Sequence, residues 1–500
     1  VKSTNKPRIK KVPSGGGFEQ NQRLKAFYEG ASTGPRMGNK GLRSSGPNAD
    51  AERSLTKLRS RSRHAIHNHP LGVTSANAYV DNLVGNGIVA NWENKELQAL
   101  WDIWQTECDA DGNLNFPGME ALVARAEFSD GETLIRRRWR RPSDGLSVPL
   151  QIEIIESDHL PTTLTDIAKG IRLGIQKNFI GQRTHYHLYQ HHPSDMPNGL
   201  GINETRAVPA SDIIHYFQVL RPKQDRGIPH LSTILLRLYE IDEMQDATLV
   251  KQKTAQLFAW IIKKRQQEWN PTDEESVGGN DNNVDYDEIV NGEAIKKITP
   301  ASVNYLDDDE DIEFSSPDGI GPNYVEWIKT ELRSVAKAIG LTYEMLTGDL
   351  TGVNYSSIRA GLVEFRRRME RLQYHLMIFK FCHPVAKWFL FAVWMHRLVD
   401  LPEYDTNPHQ YLPKWQTPRW DWVDPLKDVM ADILEVRAGF DSRANKNAER
   451  GLDSEDITTQ LIIEQGVETA ADLVLDTNPG KVNKAGTDQG GMQVLAAEQS

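Results

Sequence analysis

Apolar side chains recur at steps of three and four through Val325, Ile328, Leu332, Val335 and Ile339. That spacing places them on one face of an α-helix, predicted over residues 322–339 and ended by Gly340. Lys329, Arg333 and Lys337 step by four along another face, so the helix carries an apolar seam and a separate basic stripe. Residues 341–355 break the pattern. Gly348 and Gly352 bracket Asp349, Leu350 and Thr351, with Val353 and Asn354 after them, and two glycines this close favour a mobile loop with unusual backbone angles. A longer helix is predicted from Ser356, a candidate N-cap, to about residue 398; at 1.5 Å per residue it would reach about 60 Å. Its first half is basic, with Arg359, Arg366, Arg367, Arg368 and Arg371, and its second half is aromatic, with Phe379, Phe381, Trp388, Phe389, Phe391 and Trp394. One end is expected to be buried and the other charged, with a kink at Pro384.

The other segments flank this unit. Residues 1–51 are rich in Gly, Ser, Asn, Lys and Arg without apolar period, which predicts a flexible arm; its Lys2, Lys6, Arg8, Lys10 and Lys11 either touch nucleic acid or are simply solvated. From Glu52 a helical pattern runs through Leu55, Leu58, Ile66, Tyr79 and Leu83, broken at Pro70 and Gly72. Two further helices are centred on Leu97, Trp101 and Trp104 and on Met119, Leu122 and Val123. Residues 132–219 turn to short apolar runs punctuated by proline, at 134–135, 150–155, 184–189 and 213–219, which predicts an antiparallel sheet. A helix follows over 230–258, with Ile234, Leu238, Ile241 and Leu249 on its apolar side. Strands are expected at 260–262, 289–290 and 303–306, and the acidic run at 307–311 reads as a solvated loop. Residues 402–425 form a Pro- and Trp-rich connector, helices are predicted at 424–439 and 454–465, and the tail from about 477 is expected to be disordered.

A length of 500 residues leaves room for two to four domains. The formal net charge of −11 argues against a protein that coats DNA by bulk attraction, though not against one past which DNA slides. Cys108 and Cys382, the only two cysteines, cannot make a disulfide framework and point to a reducing compartment. No signal peptide is visible, and the longest apolar run, at 385–395, contains Lys387 and is too short to cross a bilayer; a soluble chain, or one with only an indirect membrane role, is expected.

Candidate metal chemistry is weak. Asp109, Asp111, Asn113, Asn115 and Glu120 fall at the ligand positions of a calcium loop, but Leu114 stands where that loop needs glycine and Pro117 lies inside it. An Asx-rich turn is the simpler reading. His64, His67 and His69, and His185, His187, His191 and His192, form two groups whose spacing fits no zinc site. No phosphate loop, nucleophile elbow, H-E-x-x-H or C-x-x-C pattern occurs. No metal, cofactor or catalytic residue is expected.

Four motifs in fixed order carry a resemblance. Gln224-Asp-Arg-Gly-Ile-Pro229 precedes a helix, Ala338-Ile-Gly-Leu-Thr-Tyr-Glu-Met-Leu-Thr-Gly348 precedes Asn354-Tyr-Ser-Ser-Ile-Arg359, and Asp424-Pro-Leu-Lys-Asp428 precedes the last helices. Over residues 52–466 the chain resembles the portal proteins of tailed bacteriophages, in particular the lambda-like family. The resemblance implies an α+β, mainly helical fold of wing, stem, clip and crown, with the antiparallel sheet in the wing. Carried onto this sequence, it gives an arm at 1–51, wing at 52–229, stem helices at 230–256 and 319–340, and a clip at 257–318. A tunnel loop follows at 341–355, a long wing helix with its connector at 356–423, a crown at 424–466 and a tail at 467–500. It implies a homo-oligomeric ring, usually a dodecamer, at one capsid vertex of the virion, assembled in the host cytoplasm. Double-stranded DNA would be packaged and ejected through the ring. The large terminase subunit, capsid or scaffold protein and a head-tail adaptor are the implied partners, and no membrane is.

On that reading Lys329, Arg333 and Lys337 face phosphate in the channel or a neighbour's carboxylates, and residues 348–354 form the tunnel loop. Val325, Ile328, Leu332, Val335 and Ile339, with Arg366, Arg367 and Arg368, are expected at the subunit interface. The competing reading is a metal-dependent nuclease using the acids at 307–311 and nearby histidines; a head-tail adaptor is disfavoured by length.

Overall fold

A helix that changes register partway along runs through the middle of the chain's core. It is α-helical over Tyr355–Leu372 (α8), π-helical over Gln373–Cys382, and α-helical again over His383–His396 (α9). The molecule is seen in a computed structural model that describes residues 45–195, 204–257, 261–264, 288–290, 293–295, 310–313, 324–418, 420, 425–450 and 454–471. The distortion expected at Pro384 takes the form of this π segment, which ends just before the proline. Proline has no N–H to return to the carbonyl four residues back, and the wider turn lets upstream carbonyls reach past it. Residues 357–396 are long and apolar enough to cross a membrane by composition, unlike the shorter run seen in the sequence, but 67% of their most apolar window is buried inside the protein.

Four N-terminal helices wrap this rod: α1 (Pro47–Asn68), α2 (Pro70–Leu83), α3 (Lys95–Glu107) and α4 (Phe116–Asp130). Helix α1 begins at Pro47, earlier than the pattern at Glu52 suggests, with Asn48 and Ala51 already buried. The break at Pro70 is real, and Gly72 is needed there because a Cβ would overlap the Ala65 carbonyl. Asn94 and Asn115 cap α3 and α4 through their side chains. Trp101, Trp104 and Phe116 from these helices meet Phe381 and Phe389 of the rod, with Trp101 and Phe389 edge-on at 5.0 Å and Phe116 and Phe381 stacked at 5.4 Å. The strand Val89–Asn91 (β1) pairs with Lys414–Gln416 (β13), which brings the connector back onto this core.

Glu120 is fully buried beside the aromatic cluster, accepting the Ile88 N–H at 2.9 Å and the Cys382 thiol at 3.2 Å. Burial pushes its pKa up to about 8, against the pull of those two donors. The unfolded carboxyl ionises near 4.5, so the stabilisation that the neutral group provides is complete below that pH and is lost as pH rises toward 8. Glu120→Gln keeps the acceptor and cannot ionise. We expect the wild-type melting temperature to fall relative to Glu120→Gln between pH 6 and 9; parallel melting curves across that range would show that Glu120 is already ionised in the fold.

The β region forms two stacked antiparallel sheets. Glu132–Trp139 (β2), Leu150–Ile155 (β3) and Ile213–Phe217 (β8) pair in the order β3-β2-β8. Ile171–Arg172 (β4), Ile175–Lys177 (β5), Arg183–Tyr189 (β6) and Thr205–Pro209 (β7) pair in sequence order. A small second core of Leu134, Ile155, Leu160, Ile175, Tyr186, Leu188, Val208 and Ile213 lies between them. The opposite face of the first sheet presents Ile135, Leu150, Ile152, Ile214 and Tyr216 to the main core, so alternate residues of one strand serve two cores. Strands β4, β5 and β7 are too short to show a period and were not expected.

After the sheets, Leu235–Leu257 (α5) leaves the core and Tyr324–Ile339 (α6) returns to it. Between them Ile261–Lys264 (β9) pairs antiparallel with Glu310–Glu313 (β12), and Glu288–Val290 (β10) with Glu293–Ile295 (β11). Part of the acidic run is therefore a strand rather than a loop, with Glu310 opposite Lys264 and Asp311 opposite Lys263. Residues 307–309 and the strand expected at 303–306 lie outside the described residues, as do the arm at 1–44 and the tail from 472. A short helix, Tyr343–Thr347 (α7), precedes the rod. The C-terminal helices are Pro425–Ala438 (α10), Arg443–Glu449 (α11) and Ser454–Ala470 (α12), of which α11 was not legible.

Candidate functional site

The unit of α5, α6, α7 and the segment leading into α8 is anchored at one end and bare at the other. Ile234, Leu238 and Ile241 at the start of α5, and Val335, Ala336 and Ile339 at the end of α6, are buried in the main core. Arg237 and Glu331 pair across the two helices at 2.6 Å. Farther out, Met244, Leu249 and Val250 on α5 and Val325 and Trp327 on α6 are exposed. The predicted interface seam is thus divided. Val335 and Ile339 are buried inside the protomer, where their helix end docks on the rod. Ile328 is partly buried against the same core, Leu332 is half-buried, and Val325 is 54% exposed.

The basic stripe turns toward its own chain. Lys329 lies 3.7 Å from the Asp349 carboxylate, the Arg333 guanidinium sits 5.4 Å over the Tyr343 ring, and Lys337 meets Glu364 at 2.7 Å. The last pair is solvent-exposed and contributes little. The loop is built by caps more than by disorder: Thr342 caps α7, Gly348 ends it at φ +70°, and Asp349 accepts the Thr351 N–H and hydroxyl and the Tyr343 hydroxyl. The Thr351 hydrogen bonds, with smaller help from Tyr343 and Lys329, hold the Asp349 pKa down at about 2. Leu350, Thr351, Gly352 and Asn354 are exposed, and Val353 is half-buried. Only the stretch from Gly348 to the start of α8 is loop, because α7 occupies the first part of the predicted turn.

Arg366, Arg367 and Arg368 of α8 do not act together. Arg368 donates to the Ile339 carbonyl at 2.6 Å, closing the C-terminus of α6 within the same chain. Gly340, at φ +78°, is required because a Cβ there would coincide with that guanidinium. Arg366 packs 5.6 Å over the Trp420 ring, and Arg367 is exposed. Within the protomer the Arg368 guanidinium is thus engaged as a cap on α6.

The motif at 224–229 buckles the two sheets to α1 at the foot of α5. Glu132, with no solvent exposure, receives Arg226 at 2.6 Å and Arg59 on one oxygen, and His215 at 3.0 Å and the Gly227 N–H at 2.6 Å on the other. Arg226 also donates to the carbonyls of Leu160 and Leu173. Burial alone would raise the Glu132 pKa; the Arg226 and Arg59 charges hold it well below the usual carboxylate range. The His215 tautomer is fixed by its neighbours. Arg183, which can only donate, lies 3.0 Å from Nδ1, so Nε2 carries the proton and donates to Glu132. Burial pushes the His215 pKa down to about 4, so the ring is neutral at pH 7. This assembly is structural. Its ion pairs are saturated, and sequence reasoning missed it because its members are far apart along the chain.

The metal candidates dissolve. Asp109 accepts the backbone N–H groups of Asp111, Asn113 and Leu114, Glu120 points into the core, and Asn115 caps α4, so the calcium-like spacing is an Asx turn. Of the histidines in the two sequence groups, His69 lies 3.9 Å from the Asp242 carboxylate alone, and His192 meets two acids, Glu156 and Asp158. There Arg63 already supplies the positive charge, at 2.9 Å from Glu156 and 2.6 Å from Asp158, and His192 Nδ1 accepts the Ser194 N–H, leaving Nε2 protonated.

Comparison with known proteins gives a family. The model described as phage portal protein, lambda family, matches residues 33–373. A probable portal protein of Halomonas phage phiHAP-1 is 27% identical over 364 residues, which cover 71% of this chain and 66% of the relative, so the chain spans just under two thirds of that protein's length. Portal protein B of Escherichia phage lambda is 21% identical over 409 residues, covering 76% of this chain and 75% of the relative. A solved chain from the neck of a native GTA particle, computed with C12 symmetry, overlaps 80% of this chain and 94% of its own length at 15% identity, with a TM-score of 0.46.

Proposed function

Since the chain belongs to the lambda family of phage portal proteins, we propose that its copies close into a ring at one vertex of a phage capsid, as a head-tail connector through which double-stranded DNA is packaged and ejected. It is a structural component of the virion rather than an enzyme. The observation that carries the reading is the pair α5 and α6, rooted in the core at one end and exposing Leu249, Val250, Val325 and Trp327 beyond it. Apolar side chains repeated along two protruding helices are stable in water only if neighbouring copies cover them.

In this reading the stem is α5 with α6, the strands at 261–313 belong to the clip, and residues 348–354 form the tunnel loop. Lys329 sits where the stem meets that loop, and its partner Asp349 keeps it from binding phosphate permanently. Sparse lysines and arginines around a bore guide DNA, while the acidic balance of the whole chain prevents tight adhesion. A twelvefold ring, assembled in the host cytoplasm, with terminase and later an adaptor docking on the clip, and with capsid or scaffold protein around the wing, completes the proposal.

Sedimentation of the purified chain tests the ring: a species of many subunits is expected, and monomer alone under assembly conditions overturns the reading. Removing residues 348–354 should leave the ring intact and sharply reduce the DNA retained in heads. Unchanged packaging in that deletion would take the loop out of the mechanism.

A further inference from the structure

Strand β2 leaves the buried Glu132 assembly and runs outward as Arg136-Arg-Arg-Trp-Arg140. Alternate residues of a strand share a face, so Arg136 and Arg138 continue the face that carries Glu132 and Leu134, and Arg140 follows them just past the strand end. The acids nearby are already engaged. Glu153 accepts Arg138 at 2.7 Å and Asp212 accepts Arg137 at 2.6 Å. Arg140 reaches only the neutral Gln151, at 2.8 Å. Among the described residues, the side chains of Arg136 and of the exposed Arg206 on β7 form no hydrogen bond or ion pair. Burial lowers the Arg136 pKa, and the charges of Arg138 and Arg206 lower it further, against Glu153 and Asp212. Trp139, 41% exposed, stands in the same run.

In a chain of net charge −11, Arg136 and Arg206, close enough to feel each other's charge, and Arg140 farther along the same face of the first sheet form no ion pair of their own among the described residues, which leaves this surface open to an anion. We infer that Arg136, Arg140 and Arg206 bind the phosphate backbone of double-stranded DNA on the outside of the wing, away from the channel. At about 7 Å per two residues of strand, Arg136 and Arg140 are set about 14 Å apart, with Arg206 on the second sheet; charges spread this far suit a polyanion better than a single carboxylate. Such a contact holds DNA without reading its sequence. It supplies the protein with a second DNA surface, one that engages packed genome while the bore engages the moving strand.

The probe is covalently closed circular duplex, which cannot thread a closed ring and so reports outer surfaces alone. Binding is measured against salt for the full chain, for Arg136→Gln with Arg206→Gln, and for the triple variant adding Arg140→Gln. The double variant removes no hydrogen bond, so its fold and ring mass should be unchanged. We expect the triple variant to lose at least about tenfold in affinity, with the salt slope shallower by about 2–3, close to one unit per phosphate contact. Equal affinity and slope in all three proteins overturns the inference. So does binding of a polyglutamate peptide that is lost in the triple variant while circular DNA stays unbound. Ring mass is read separately, so the portal reading and this one can fail independently.

Discussion

Glu132→Ala is expected to cost about 3–5 kcal/mol, the range for removing one partner of a buried ion pair. The loss is large because two guanidinium groups, Arg59 and Arg226, would remain buried without a counter-charge, and the His215 and Gly227 donors would lose their acceptor. Glu132→Gln should recover only part of this, since it restores an acceptor but not the charge. Urea unfolding read by tryptophan fluorescence measures both variants; losses under about 1 kcal/mol in each would mean that the arginines find water. The same assembly sets the acid limit. The Glu132 pKa in the fold lies below its unfolded value of 4.5, so its stabilisation is present above 4.5 and lost as pH falls from there. His215 adds to this in the same direction. Its folded pKa of about 4 lies below the unfolded 6.5, so stability declines as pH falls from 6.5 toward 4. Wild type should unfold cooperatively in acid, and Glu132→Gln should show a weaker pH dependence below 4.5.

Gly131→Ala is the second severe change. Gly131 ends α4 at φ +85°, and a Cβ there would run into the Ile228 backbone. Across the contact, a Cβ on Gly227 would run into the Gly131 carbonyl. Backbone passes backbone at this point, so neither a rotamer change nor a small shift of a flexible side chain relieves the overlap. Left-handed strain of about 1–2 kcal/mol and overpacking of about 1–3 kcal/mol together predict a loss of about 2–5 kcal/mol. Gly348→Ala, at φ +70° with open space around it, carries the strain alone. Equal melting temperatures for the two variants would show that the Gly131–Gly227 crossing opens freely.

Both changes strike the foot of α5, where Gln224-Asp-Arg-Gly-Ile-Pro229 was legible as a family signature but not as a mechanism. The structure supplies the reason for each residue. Asp225 binds Asn48 of α1 and Lys177 of β5, Arg226 completes the pairing of Glu132, and Gly227 lets two backbones cross. The second motif resolves similarly. Gly340 admits Arg368 to the end of α6, Thr342 starts α7 and Gly348 stops it.

Periodicity alone fixed α6, the loop after it, the long helix with its mostly buried aromatic end, from which only Phe379 turns out to solvent at 66% exposure, and the helical then β order of the first half. These follow from local rules: which residues cap, which break, and which spacing puts apolar groups on one side. Tertiary structure decided how each apolar or charged face is used. Val335 and Ile339 read like Val325 in the sequence, yet the first two fill the protomer's own core and the third stays bare. Lys329, Arg333 and Lys337 read as a free stripe, yet each meets a residue from the turn or from α8. A helical pattern states that a face must be covered, or that a charge lies on the surface. It is silent on the partner, because partners such as Glu132 and Arg226 lie 94 residues apart and meet only when the fold closes.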